Sequence, residues 1–99
     1  MMFDWITAAE EVSFGEDLAL AYDKGFKDLE SVSEHKLDTR HRKLVINILN
    51  NAKQYKMTHH LNFYSKSKLL NAIKWRLKDL GHESERVDLL LKEIILAIE

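Results

Sequence analysis

The chain has no proline in 99 residues, and glycine occurs only as Gly15, Gly25 and Gly81. Few positions therefore favour a tight turn. A strand-rich fold needs a turn every few residues, usually marked by Gly, Pro, Asn or Asp clusters. Neither Asn-Gly nor Asp-Gly, the strongest short hairpin signals, occurs anywhere. Long elements with few breaks remain, and their apolar residues recur at helical spacing. The sequence predicts an all-α fold.

Apolar spacing sets the expected helices. Ser13 and Glu16 have the spacing of a capping box. They would open a helix whose apolar face is Phe14, Leu18, Tyr22, Phe26 and Leu29. Gly25 would kink that helix or end it near Lys24. Ahead of it, Phe3, Trp5, Ile6, Ala9 and Val12 form an apolar set that Asp4 could cap as a short helix. Ser31 to Leu37 reads as a polar connection and Asp38 as the next N-cap. The second helix would run to about Met57, with Val45, Ile48, Leu49, Ala52 and Tyr55 on one side. Thr58 to Tyr64 reads either as a loop or as the lead into a third helix. That helix is strongest from Ser65 to Leu80, with Leu69, Ile73, Leu77 and Leu80 inward. Gly81 suits the C′ position after it. Ser84 would begin the last helix, to Ile98, with Val87, Leu91, Ile94, Ile95 and Ile98 on one face. A short turn between the last two helices makes them antiparallel neighbours. The expectation is one domain, residues 1–99, forming a four-helix bundle with or without a short extra N-terminal helix.

Apolar residues make up 45% of the chain and charged ones 31%, a balance of globular rather than disordered proteins. There is no cysteine, which excludes disulfides and thiolate metal sites. No apolar run approaches the roughly 20 residues that span a bilayer. The first residues are acidic and lack the basic-then-apolar order of a secretory signal. The expected setting is the cytoplasm, without a membrane partner.

Net charge is −1, but the charges are segregated. Residues 1–34 carry −7, residues 35–78 carry +10 and residues 79–99 carry −4. Either the acidic helices neutralise the basic ones within the bundle, or the basic middle faces an acidic partner.

Positions opposite each core stripe mark candidate surfaces. On the third helix these are Tyr64, Ser67, Lys68, Asn71, Trp75 and Lys78. A tryptophan among lysines is costly to leave in water and is typical of binding hot spots. The alternative is that Met1 to Val12 folds over Trp75. On the last helix, Leu89 and Leu96 lie seven residues apart on the side away from the main stripe, so a partner groove, a homodimer or the N-terminal segment would cover them. On the second helix, Arg40, Lys43, Asn47, Asn50 and Gln54 point outward, with Asn51 beside them. Amides can pair with adenine edges and cations can hold phosphates, so this face is the candidate for nucleic acid. No helix-turn-helix follows Tyr55 to place it in a major groove.

No grouping has the spacing of a catalytic or metal site. His35, His41, His59, His60 and His82 include no i, i+3 or i, i+4 pair. Glu10 and Glu11, or Glu16 and Asp17, are adjacent and diverge on a helix. There is no glycine-rich phosphate loop and no triad. The run from Asp79 to Ser84 superficially resembles the serine attachment site of acyl carrier proteins. Glu85 stands where that motif has Leu, only fifteen residues follow, and Ser84 is better read as a cap. No cofactor is expected. The expectation is a non-enzymatic interaction module, an adaptor, inhibitor or regulator, that binds a protein through Tyr64, Lys68, Asn71, Trp75, Lys78, Leu89 and Leu96. The alternative is a nucleic-acid-binding regulator using residues 36–78.

Overall fold

A computed structural model describes residues 8–99. Four helices pack against one another: α1 (Ala8–Asp28), α2 (Glu34–Thr58), α3 (Phe63–Asp79) and α4 (Ser84–Ile98). Among the described residues there is no strand, and the all-α bundle is established. Of the expected extra N-terminal helix, Phe3, Trp5 and Ile6 lie outside the described residues, whereas Ala9 and Val12 are part of α1, Ala9 exposed and Val12 half-buried.

Each helix touches two others. α1 packs on α2 and α3, and α4 packs on α2 and α3, whereas α1 and α4 sit diagonally, as do α2 and α3. Seen end on, the order around the bundle is α1, α2, α4, α3. Contacts fix the directions. Gly15 meets Leu69 and Asp23 meets His82, so α1 and α3 run parallel. Arg42 reaches Glu93 and Lys56 reaches the Glu99 carbonyl, so α2 and α4 also run parallel, opposite to the first pair. The result is two antiparallel hairpins, α1–α2 and α3–α4, laid side by side.

Most of the core is the set that spacing picked out, although Phe14, Phe26, Leu29, Leu49 and Leu80 are only half-buried and the fully buried Ala19 was not among those expected. Leu18, Tyr22, Val45, Ile48, Ala52, Leu69, Ile73, Leu77, Val87, Ile94 and Ile98 are buried in one cluster. Leu90 joins them, although the last helix was expected to turn Leu91 and Ile95 inward. Leu91 is only half-buried and Ile95 is exposed. The last helix is apolar on most sides, so composition could not decide which stripe faces in; packing against both α2 and α3 does.

Three expected boundaries move. The chain is already helical from the first described residue, Ala8, through Ser13, so Ser13 is not an N-cap. Ala8, Glu11, Gly15 and Ala19 are buried, so one side of the helix is packed both before and after Ser13. Gly25 does not end α1; the helix runs on to Asp28 and a 3-10 turn at Leu29–Ser31. A Cβ at Gly25 would lie 2.5 Å from Leu44 Cδ1, so glycine there admits α2. α2 begins at Glu34 with Ser33 in the cap position, one turn before Asp38. The open stretch after Thr58 resolves into a short link, and the Asn62 side chain accepts from the Ser65 N–H to start α3.

The α3–α4 turn follows the sequence closely. Gly81 adopts φ +92°, its N–H donates to Lys78, and the His82 N–H donates to Leu77. That is the Schellman pattern, which needs a residue free to be left-handed at C′. Ser84 is the first helical residue, with Glu83 in the cap position.

Candidate functional site

The outward stripe of α3 is built from its helical register. Tyr64, Lys68, Asn71 and Trp75 are exposed and Lys78 is half-exposed, at spacings of four, three, four and three. The core side of the same helix is Leu69, Ile73 and Leu77. Trp75 keeps 59% of its surface in water. The ammonium groups of Lys74 and Lys78 each lie 5.5 Å from its ring centroid, and Lys68 lies the same distance from the Tyr64 ring. Beside Trp75 runs a groove of about 400 Å³ between α1 and α3, bounded by Val12, Glu16, Lys68, Asn71, Arg76 and Asp79. Of the segment expected as an alternative cover for Trp75, Val12 lines this groove, and residues 1–7 lie outside the described residues.

Leu89 and Leu96 are also exposed, at 58% and 69%. They are not part of the Trp75 surface. Leu96 lines a groove with Leu49, Lys53, Glu93 and Ala97, between α2 and α4. That pair forms the edge of the bundle opposite α1–α3. The sequence placed these residues in one partner-binding set; the fold divides them between two edges. Ile46, exposed at 44%, joins the α2–α4 edge and was not foreseen, because on its own helix it reads as an isolated apolar residue.

Arg40, Lys43, Asn47, Asn50 and Gln54 are all exposed on the outer side of α2. Asn51 and Gln54 border a groove shared with Asp17 of α1. A carboxylate there would oppose a phosphate backbone.

A third constellation is invisible to local spacing. At the end of the bundle where α1 finishes, His82 Nε2–H donates to Asp23 Oδ1 at 2.8 Å, and Lys27 pairs with Oδ2 at 3.0 Å. Burial alone would raise the Asp23 pKa. The Lys27 and His82 hydrogen bonds together outweigh it and hold the carboxyl below its ordinary range. A 2.8 Å hydrogen bond joins Tyr22 and His41, and both rings pack with Phe26. The Arg86 guanidinium sits 4.4 Å from the Phe26 ring centroid. Burial, with Arg86 nearby, lowers the His41 pKa, and burial raises that of Tyr22. Residues 59 apart in the chain meet here, so no motif could announce them. The cluster ties α1 and α2 to the α3–α4 turn. Glu30 and Asp38 share a groove with Arg86 and His41, which leaves no strong single-sign field for a charged ligand.

His59 stacks on Tyr55 and donates to Glu10. Among the described residues no group of three His, Cys, Asp or Glu could hold a metal ion, and no helix is long and apolar enough to cross a membrane. In comparisons with protein-family models, curated proteins and solved structures, nothing matches this chain.

Proposed function

We propose that this chain is a non-enzymatic interaction module that binds an acidic protein segment along the outer face of α3. The observation that carries this reading is Trp75. A large aromatic side chain, mostly exposed and flanked by two lysines, stands beside a groove that reaches α1. Burying such a ring against a partner releases apolar surface from water at roughly 25 cal/mol per Å². The lysines then favour carboxylates over cations and speed encounter. Asn71, between Lys68 and Trp75 in the stripe, adds a donor and an acceptor for a partner backbone. The 400 Å³ groove is open along one side, as a strand or helix of a partner requires, rather than closed like a substrate cleft.

The nucleic-acid reading uses the same basic segment. Glu16 and Asp79 border the Trp75 groove, and Asp17 borders the amide face of α2. These carboxylates weigh against the continuous charge of a phosphate backbone on either surface, whereas a protein segment can set its few acids against Lys68 and Lys78 and keep them clear of Glu16 and Asp79.

The test is capture from native cells with the wild-type chain, with Trp75→Ala, and with Lys68→Glu combined with Lys78→Glu. A protein held by the wild type and lost by both variants, while their helical content stays unchanged, supports the reading. Equal capture by all three overturns it. Recovery of nucleic acid instead, with affinity falling steeply as salt rises, would assign the surface to the alternative.

A further inference from the structure

The opposite edge of the bundle carries an independent assignment. We propose that the α2–α4 edge is a homodimer interface, with α2 of each copy lying on α4 of the other.

Three features converge there. The first is exposed apolar surface: Ile46 on α2 and Leu89 and Leu96 on α4 are exposed, and Leu96 borders the half-buried Leu49. The second is shape. A groove of about 220 Å³ runs between the two helices, and Leu96 stands on its border. The third is a division of charge. On the side of α2 next to α4 lie Arg42, which pairs with Glu93, Lys53, which lines the groove, and Lys56, which reaches Glu99; the acids of α2, Glu34 and Asp38, are confined to its first turns. α4 carries Glu85, Asp88 and Glu93, with Glu99 just beyond it. Its basic residues are Arg86, packed on the Phe26 ring, and Lys92. The edge is therefore basic on one side, acidic on the other and apolar between.

Such a surface is complementary to itself. A twofold axis lying in the interface and running along the helices turns one copy over. It sets the basic helix of each copy on the acidic helix of its mate, with the leucines and isoleucine meeting in the middle. α2 and α4 run in the same direction, so this operation keeps facing helices parallel. A twofold axis perpendicular to the helices would set α2 on α2 and oppose like charges. A foreign partner would need a matching two-sided charge pattern; a second copy supplies it by symmetry. The Arg42–Glu93 ion pair, at 2.9 Å, already ties the two helices within one chain and keeps the edge continuous.

The test uses the intact chain in sedimentation or light scattering from low to high micromolar concentration. The expected mass is twice the 11.6 kDa of one chain. Lys53→Glu with Lys56→Glu on α2 should give a monomer, and so should Glu85→Lys with Glu93→Lys on α4. Mixed in equal amounts, the two variants should dimerise, because each facing pair then has opposite charge again. Leu96→Gln, which changes no charge, should weaken association by about tenfold, a typical effect of removing an apolar anchor. Circular dichroism checks that every variant keeps its helices. A wild-type chain that stays monomeric throughout overturns the proposal. A mixture that stays monomeric while the wild type dimerises overturns the α2-on-α4 arrangement. Trp75→Ala, on the far edge, should dimerise as the wild type does, so loss of the α3 partner and loss of the dimer are read separately.

Discussion

Tyr55 donates a 2.6 Å hydrogen bond to the Glu11 carboxylate across the α1–α2 contact, and both side chains are buried. Burial pushes the phenol pKa up, and the Glu11 hydrogen bond and charge push it further. Phe14 stacks on the Tyr55 ring at 4.0 Å. Tyr55→Phe keeps that stack and removes only the donor. It should cost roughly 1–3 kcal/mol, because a buried carboxylate loses its phenol partner. Adding Glu11→Ala should cost less than the sum of the two single changes, with a coupling of about 0.5–3 kcal/mol in urea unfolding. Simple additivity would show that the two groups act independently.

Gly15 and Gly25 should respond differently to alanine. A Cβ at Gly15 would lie 2.7 Å from the Leu69 carbonyl oxygen and 2.9 Å from Ala72 Cβ. Neither can swing aside, because one is backbone and the other sits directly on it. Gly15→Ala should destabilise by roughly 1–3 kcal/mol through overpacking, despite a helix-propensity gain near 1 kcal/mol. At Gly25 the clash is with the flexible end of Leu44, so the same gain should nearly offset the strain. Melting temperatures of the two variants give the comparison. A stabilised Gly15→Ala would show that α1 and α3 have room between them.

The fold was legible because its signals are local. Core positions such as Leu69, Ile73 and Leu77 repeat every four residues, and Gly81 marks a turn that requires a positive φ. That α1 already includes the residues before Ser13 was not legible, since Ser13 and Glu16 satisfy a cap pattern that burial of Ala8, Glu11 and Gly15 overrides. Exposure of Trp75, Leu89 and Leu96 could be deduced from helix faces. Their separation onto opposite edges could not, because it depends on which helices are neighbours. Asp23 and His82 show the same limit: a pair 59 residues apart has no period.

His41 gives the protein a pH response near neutrality. Burial, then the positive charge of Arg86, holds its pKa below the ordinary 6.5. The unfolded chain therefore takes up this proton first as pH falls. The stability contributed by the neutral ring is complete above about pH 6.5 and declines below it, until the folded state also titrates. Urea midpoints should fall between about pH 7 and about pH 5.5, and His41→Gln should flatten that portion of the slope. Asp23 acts in a lower window. Its pKa is depressed, so its contribution persists down to about pH 4 and is lost below. An unchanged slope in His41→Gln would assign the response to other groups.

Ile73 and Trp75 lie two residues apart on α3 and should behave as opposites. About 200° of helix rotation separates them. Ile73 is 1% exposed, inside the cluster shared by all four helices, whereas Trp75 faces water. Ile73→Ala should cost roughly 2–5 kcal/mol, from lost transfer energy and the cavity left behind. Trp75→Ala should change stability by no more than about 0.5 kcal/mol, as surface substitutions do. Urea unfolding followed by far-ultraviolet circular dichroism measures both, since helix content does not depend on the tryptophan signal. Costs of similar size would mean that the Trp75 ring is held by its own chain in solution, and the α3 stripe would lose the anchor on which partner binding rests.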